Sequence, residues 1–177
     1  GLTVRSRNLR LTAIHSFFRY AAFELPTHAA QIQRVLAIPS KRFARTLVSF
    51  FSRPEVDALL AAPDCSTWSG RRDHAFMLTA VQTGLRLSEM TGLRREDLIL
   101  GTGAHVRVIG KGRKERCLPL WKETASAVRA WLSVRGEARV PELFLNARKD
   151  VMTRAGFEYI LRKHVHTAAT RCPTLSA

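Results

Sequence analysis

The stretch from Gln82 to Leu120 constrains the fold more tightly than any other part of this 177-residue chain. It opens Thr83-Gly84-Leu85-Arg86-Leu87-Ser88-Glu89-Met90-Thr91-Gly92-Leu93 and passes the acidic pair Glu96-Asp97. It ends Val106-Arg107-Val108-Ile109-Gly110-Lys111-Gly112-Arg113-Lys114-Glu115-Arg116-Cys117-Leu118-Pro119-Leu120. Gly84 tolerates the positive φ at which helices commonly end, so one helix should stop there and a short one begin just after it. Arg86 and Glu89, three apart, then share one face of one turn. Val106 alternates with Val108, and Leu118 with Leu120. That pattern predicts a hairpin joined by a glycine-bracketed basic turn, with Lys111 where the first arm ends.

In this order and at this separation, the two segments closely resemble the catalytic domain of the tyrosine site-specific recombinase (phage integrase) family. Thr83 to Leu93 is like that family's first-arginine box, Val108 to Leu120 is like its lysine-bearing β-hairpin, and Asp97 lies between. The resemblance implies a mainly α fold with a small antiparallel β-hairpin or sheet (α+β). It further implies that the complete form cuts and rejoins double-stranded DNA through a 3′-phosphotyrosine intermediate, in site-specific recombination or DNA integration by a mobile element. Protomers of such recombinases act as tetramers on paired sites.

Composition agrees with a nucleic-acid partner. There are 29 Lys and Arg against 14 Asp and Glu, a formal charge of +15 and a pI near 11.2, which calls for a polyanion. A hydrophobic fraction of 46% places the chain among globular proteins. No run reaches the roughly eighteen apolar residues of a membrane span. The first ten residues hold three arginines and no apolar core, unlike a cleavable signal. Cys65, Cys117 and Cys172 are few, odd in number and widely spaced, which suits reduced thiols in a cytoplasmic protein. The paired spacing of a zinc site is missing, and Gly101 to Gly112 lacks the pattern of a nucleotide phosphate loop. Neither metal, cofactor nor small-molecule substrate is expected.

Along the chain, Leu11, Ile14, Phe17, Phe18, Ala21 and Leu25 recur at helical spacing within residues 7–25, with Arg5, Arg7, Arg10 and Arg19 between them. Pro26 should close this helix, and residues 28–38 should form a second that ends at Pro39. Ser40 to Arg45 reads as a basic linker. Residues 1–50 hold eight Lys and Arg and one Glu. Ser52-Arg53-Pro54-Glu55 is a capping box that opens a helix through Val56, Leu59 and Leu60. Pro63 and the polar residues 64–70 should end it, and residues 71–82 make a largely apolar helix buried under the site, on which His74 is a packed or surface residue rather than a ligand.

Lys122 to Arg135 is helical, with Ala125, Val128, Ala130, Trp131 and Leu132 as its apolar side. Leu143 to Leu145 reads as a short strand. Thr153 should cap a last helix through Phe157, Ile160 and Leu161 towards Thr170, with His164 and His166 at its surface. The ending, Arg171 to Ala177, looks like a loop cut short. The expected domains are residues 1–38, like the last part of a helical core-binding DNA-binding domain, a linker at 39–51, and residues 52–177, like an incomplete catalytic domain truncated at its end.

The residue types suit the implied chemistry. Attack of a hydroxyl on phosphorus puts charge on the non-bridging oxygens, and positioned cations stabilise it. An arginine fork donates two parallel hydrogen bonds to phosphate and stays charged, the role the resemblance gives Arg86. Glu89 would steady that fork. Lys111, the first Lys of Gly-Lys-Gly, would pass a proton to the departing 5′ oxygen. Arg113, Lys114 and Arg116 on the hairpin, with Lys41, Arg42, Arg7 and Arg10 nearer the start, are the expected DNA-phosphate contacts.

The family's later His-x-x-Arg box and tyrosine nucleophile have no counterpart here, since Tyr20 and Tyr159 stand in the wrong places. The chain by itself is therefore expected not to cleave DNA. It is expected to be a DNA-binding fragment of a recombinase, monomeric or poorly defined in its assembly when free. The alternatives are a non-catalytic DNA-binding or interaction protein on the same scaffold, or a general basic RNA-binding protein.

Overall fold

Caps and prolines set most element boundaries in the computed structural model, which describes residues 1–44, 50–110, 112 and 114–176. The chain divides into two units, Gly1–Phe50 and Phe51–Ala177.

In the first unit, the Thr3 hydroxyl accepts from the Ser6 N–H at 3.2 Å and starts α1 (Val4–Glu24). A 3-10 turn at Pro26–His28 leads into α2 (Ala29–Leu36). Leu11, Ala21 and Ile32 are buried between the two helices, and His15 Nε2 lies 3.1 Å from the Val35 carbonyl oxygen. Elsewhere on the expected apolar stripe Ile14, Phe17 and Leu25 are exposed and Phe18 is half-buried. Length explains this. At about 1.5 Å per residue the eight residues of α2 span roughly 12 Å, against about 32 Å for the 21 of α1.

In the second unit, the Ser52 N–H and hydroxyl both donate to the Glu55 carboxylate, at 2.7 and 2.8 Å, and open α3 (Arg53–Leu60) with Pro54 in its first turn. The next helix, α4 (Trp68–Thr83), begins three residues earlier than the sequence predicts. Thr67 Oγ1 accepts from the Gly70 N–H at 2.9 Å, and Gly70 lies so close to Asp64 that a Cβ there would stand 1.8 Å from its carbonyl oxygen. Only glycine fits. Gly84 ends α4 at φ +60°, its N–H bonded to the Ala80 carbonyl at 3.0 Å.

The short α5 (Leu87–Thr91) follows, then a 3-10 turn at Arg95–Asp97. The antiparallel sheet has the order β1 (Leu98–Ile99), β2 (His105–Ile109), β3 (Glu115–Pro119). Its β2–β3 register pairs Val106 with Leu118 and Val108 with Arg116. The hairpin is as expected, and β1 adds a third strand to it. Helix α6 (Lys122–Arg135) has the predicted bounds, although its Ala130 is exposed. Helix α7 (Arg154–Ala169) starts at Thr153, whose hydroxyl accepts from the Gly156 N–H at 3.1 Å. Pro173–Ser176 forms a 3-10 turn where a loop was expected.

Leu143 to Leu145 is not a ladder strand. It is a fully buried segment flanked by isolated bridges, Arg94 to Glu142 and Leu145 to Val151, and the indole N–H of Trp131 donates to the Leu143 carbonyl at 2.9 Å. Phe76 of α4 stacks on Phe157 of α7 with ring centroids 3.9 Å apart, and Phe144 meets both edge-on. His74 Nδ1 lies 2.9 Å from the Leu60 carbonyl oxygen, a packing role. His164 corrects the sequence reading: it is buried rather than at the surface, with Nε2 2.8 Å from Asp73 Oδ2. Its spacing from Phe157, Ile160 and Ala168 puts it on the core face of α7, where an acidic partner meets Nε2 while Nδ1 is buried without a hydrogen bond. Among the described residues no helix is long and apolar enough to cross a membrane.

Candidate functional site

The αL turn at Gly84 releases the chain from α4 and leaves Arg86 at the N-cap of α5, with an extended backbone and a free N–H. Glu89, one turn on, fills that need, as its Oε2 accepts from the Arg86 N–H at 2.8 Å. A guanidinium has no acceptor to return, so only this half of a capping box forms. Oε1 of the same carboxylate accepts from Arg86 Nη1 at 3.3 Å. The Arg86 side chain stays 69% exposed and the Glu89 side chain only 8%. Glu89 is thus the anchored member, and Arg86 presents its charge outward.

The hairpin supplies a second cation to the same carboxylate. Arg116 Nη2 donates to Glu89 Oε2 at 2.9 Å. A Cβ on Gly110 would stand 3.6 Å from Glu89 Oε1, so the end of β2 also approaches it. One carboxylate faces two guanidiniums, and the trio keeps a net positive charge that favours an anion. The Arg86 N–H, more than the two nearby guanidiniums, holds the Glu89 carboxyl below the usual glutamate range against the opposing effect of burial.

Beside this trio lies a cleft of about 690 Å³ lined by Arg86, Glu89, Arg94, Asp97, Arg107 and Gly110 among others. Arg94 is paired with Glu96 at 3.2 Å and Arg107 with Glu115 at 3.5 Å. Asp97 accepts from the Arg94 N–H at 2.9 Å, which fixes the turn under the cleft.

Of the other residues singled out from sequence, Lys111 and Arg113 lie outside the described residues. Lys114 is exposed, and its carbonyl accepts from the Gly110 N–H at 2.9 Å to close the turn. In the first unit, Asn8 exchanges two hydrogen bonds with the Lys41 backbone, at 2.8 and 3.0 Å. Arg7 donates to the Pro39 carbonyl at 3.2 Å and is half-buried, whereas Arg10, Lys41 and Arg42 are exposed. The link between Arg116 and Glu89 escaped the sequence reading. Alternation carried the signal, because 116 shares its parity with the inward-facing Leu118 and Leu120.

Residues 49–174 match the phage integrase family. Over 177 residues the chain is 67% identical to a Sinorhizobium fredii protein named integrase/recombinase y4rC, a match covering 99% of this chain and 53% of that protein. It is 35% identical over 166 residues to tyrosine recombinase XerC of Pelobacter propionicus, covering 93% of this chain and 53% of the relative. The chain spans about half the length of these curated relatives. Among solved structures, the Tn1549 transposon integrase in complex with circular intermediate DNA superposes with a TM-score of 0.61 at 17% identity, over 97% of this chain and 60% of that one. That likeness speaks to the fold alone.

Proposed function

This chain belongs to the phage integrase (tyrosine recombinase) family, and from that premise we propose that it grips the backbone of double-stranded DNA at a phosphate met by Arg86 and Lys111, as part of site-specific recombination or DNA integration in the cytoplasm. The observation that carries this reading is the shared Glu89 carboxylate, which draws the start of α5 and the end of the hairpin together. Arg86, exposed and charged at any relevant pH, offers a fork to the phosphate oxygens. Glu89 steadies it, and Lys111, one residue beyond Gly110, supplies the second cation and the proton for a departing oxygen.

Arg113 and Lys114 add phosphate contacts, and Arg7, Arg10, Lys41 and Arg42 supply others from residues 1–38 and the linker that follows. In this reading residues 52–177 are catalytic-domain scaffold, and residues 1–38 are the end of a helical DNA-binding domain. Cutting and rejoining through a 3′-phosphotyrosine belongs to the complete form, with protomers paired on two sites.

Titrating the chain against a duplex DNA and an RNA of matching length over a range of salt tests the reading. The expected result is tighter binding to the duplex, with affinity falling steeply as salt rises. Equal affinity and equal slope on both nucleic acids would sink it.

A further inference from the structure

Arg116 stands on the inward face of β3. Its register partner, Val108, is buried, and the outward neighbours Glu115 and Cys117 are exposed. A cation pointing inward needs a partner, and Glu89 provides one at 2.9 Å, with 8% of its own side chain exposed against 40% for Arg116. The other end of β3 is held separately. Gln82 Nε2 donates to the Pro119 carbonyl at 2.8 Å, and its Oε1 accepts from the Trp121 N–H at 3.1 Å. Strand β3 is therefore clamped to the end of α4 at one end and to α5 near the basic turn at the other. Only the second clamp involves the group that also holds Arg86.

We propose that Arg116 is a positioning residue: through Glu89 it sets the distance between Arg86 and Gly110 at the end of β2, so that the hairpin and Arg86 meet one phosphate. This rests on the phosphate-gripping reading above, and it takes Arg116 out of the set of direct phosphate contacts. The Glu89 carboxylate is already the acceptor for two donors on Arg86, so a third from the hairpin couples the two elements through one pair of oxygens. Arg107 makes an instructive contrast, because its partner Glu115 lies on the hairpin itself and ties it to nothing else.

Two measurements on the whole chain test the assignment. In the absence of DNA, Arg116→Ala should speed hydrogen exchange of the Gly110 amide about tenfold, the effect of one charge-assisted bond. The Glu89→Gln/Arg116→Ala pair should be no faster than Arg116→Ala, Arg116→Lys should restore slow exchange, and Arg107→Ala should leave it unchanged. On duplex DNA, Arg86→Ala should weaken binding, and adding Arg116→Ala to it should cost little more. If Arg116→Ala leaves Gly110 exchange unchanged and instead weakens DNA binding additively, lowering the salt slope by a further ~0.9, Arg116 is a phosphate contact and the proposal falls alone. If the unaltered chain fails to prefer duplex DNA, or Arg86→Ala makes no difference, the phosphate reading falls and takes this role with it.

Discussion

Asp73 and His164 meet in the core, Oδ2 of one 2.8 Å from Nε2 of the other, with no more than 4% of either side chain exposed. An ionised carboxylate only accepts, which puts a proton on Nε2. The other carboxylate oxygen takes Arg72 Nη2 at 2.7 Å, while Arg72 Nη1 donates to the Leu145 carbonyl at 2.9 Å and its guanidinium lies 5.3 Å from the centre of the Trp68 ring. The Asp73 carboxylate thus ties α4 to α7, and the Arg72 it holds ties α4 to the buried segment at 143–145.

Asp73→Ala leaves the Arg72 charge buried without its counterion and should cost about 3–5 kcal/mol. Urea unfolding followed by circular dichroism reads this directly. Adding Arg72→Met should recover part of the loss. A cost below ~1 kcal/mol for the single change would show that the cluster contributes little to stability.

Glu89 gives the hairpin an acid limit. Its carboxyl is held below the ordinary value of 4.5, chiefly by the Arg86 N–H. A depressed folded-state pKa contributes stability that is complete above the unfolded value and is lost as pH falls through the folded one. Protection of the Gly110 amide should therefore be independent of Glu89 ionisation at neutral pH and fall only in acid below 4.5. Glu89→Gln should remove that step. A step centred above 4.5 would contradict the sign.

Arg86 is mostly exposed, so Arg86→Ala should change stability by no more than ~0.5 kcal/mol. Its effect belongs to binding. Duplex affinity should fall, and the slope of log K against log salt should become shallower by ~0.9, one phosphate contact. Unchanged affinity and slope would remove Arg86 from the site.

Gly70→Ala places a Cβ 1.8 Å from the Asp64 carbonyl oxygen, a backbone atom that moves only with its turn. Overpacking of this kind costs about 1–3 kcal/mol. Gly101→Ala, where a Cβ meets nothing within 4 Å, is the matched control. Thermal unfolding of the two variants should separate them by several degrees, and equal midpoints would mean that the turn at 64–67 yields freely.

The local elements were legible because their signals are local. Ser52 with Glu55, Gly84 and Thr153 each act on backbone groups within four residues, and the starts of α3 and α7 and the end of α4 follow from them. The start of α4 was misplaced because its signal combines Thr67 with the close approach of Gly70 to Asp64, a steric fact that no run of residue types displays. His164 had a partial signal in its spacing from Phe157 and Ile160. Its partner lies 91 residues away, and a histidine on an apolar face reads as exposed until that partner is known.

By itself the amino-acid order determined the helices, the hairpin, the cationic character and the pairing of Arg86 with Glu89 on one turn, since each depends on spacing along a single element. Tertiary structure alone decided that Arg116 reaches the same carboxylate and that Asp73 meets His164. Those contacts join elements whose mutual placement comes from packing around Phe76, Trp131 and Phe157, and burial makes each unpaired charge costly enough to select its partner.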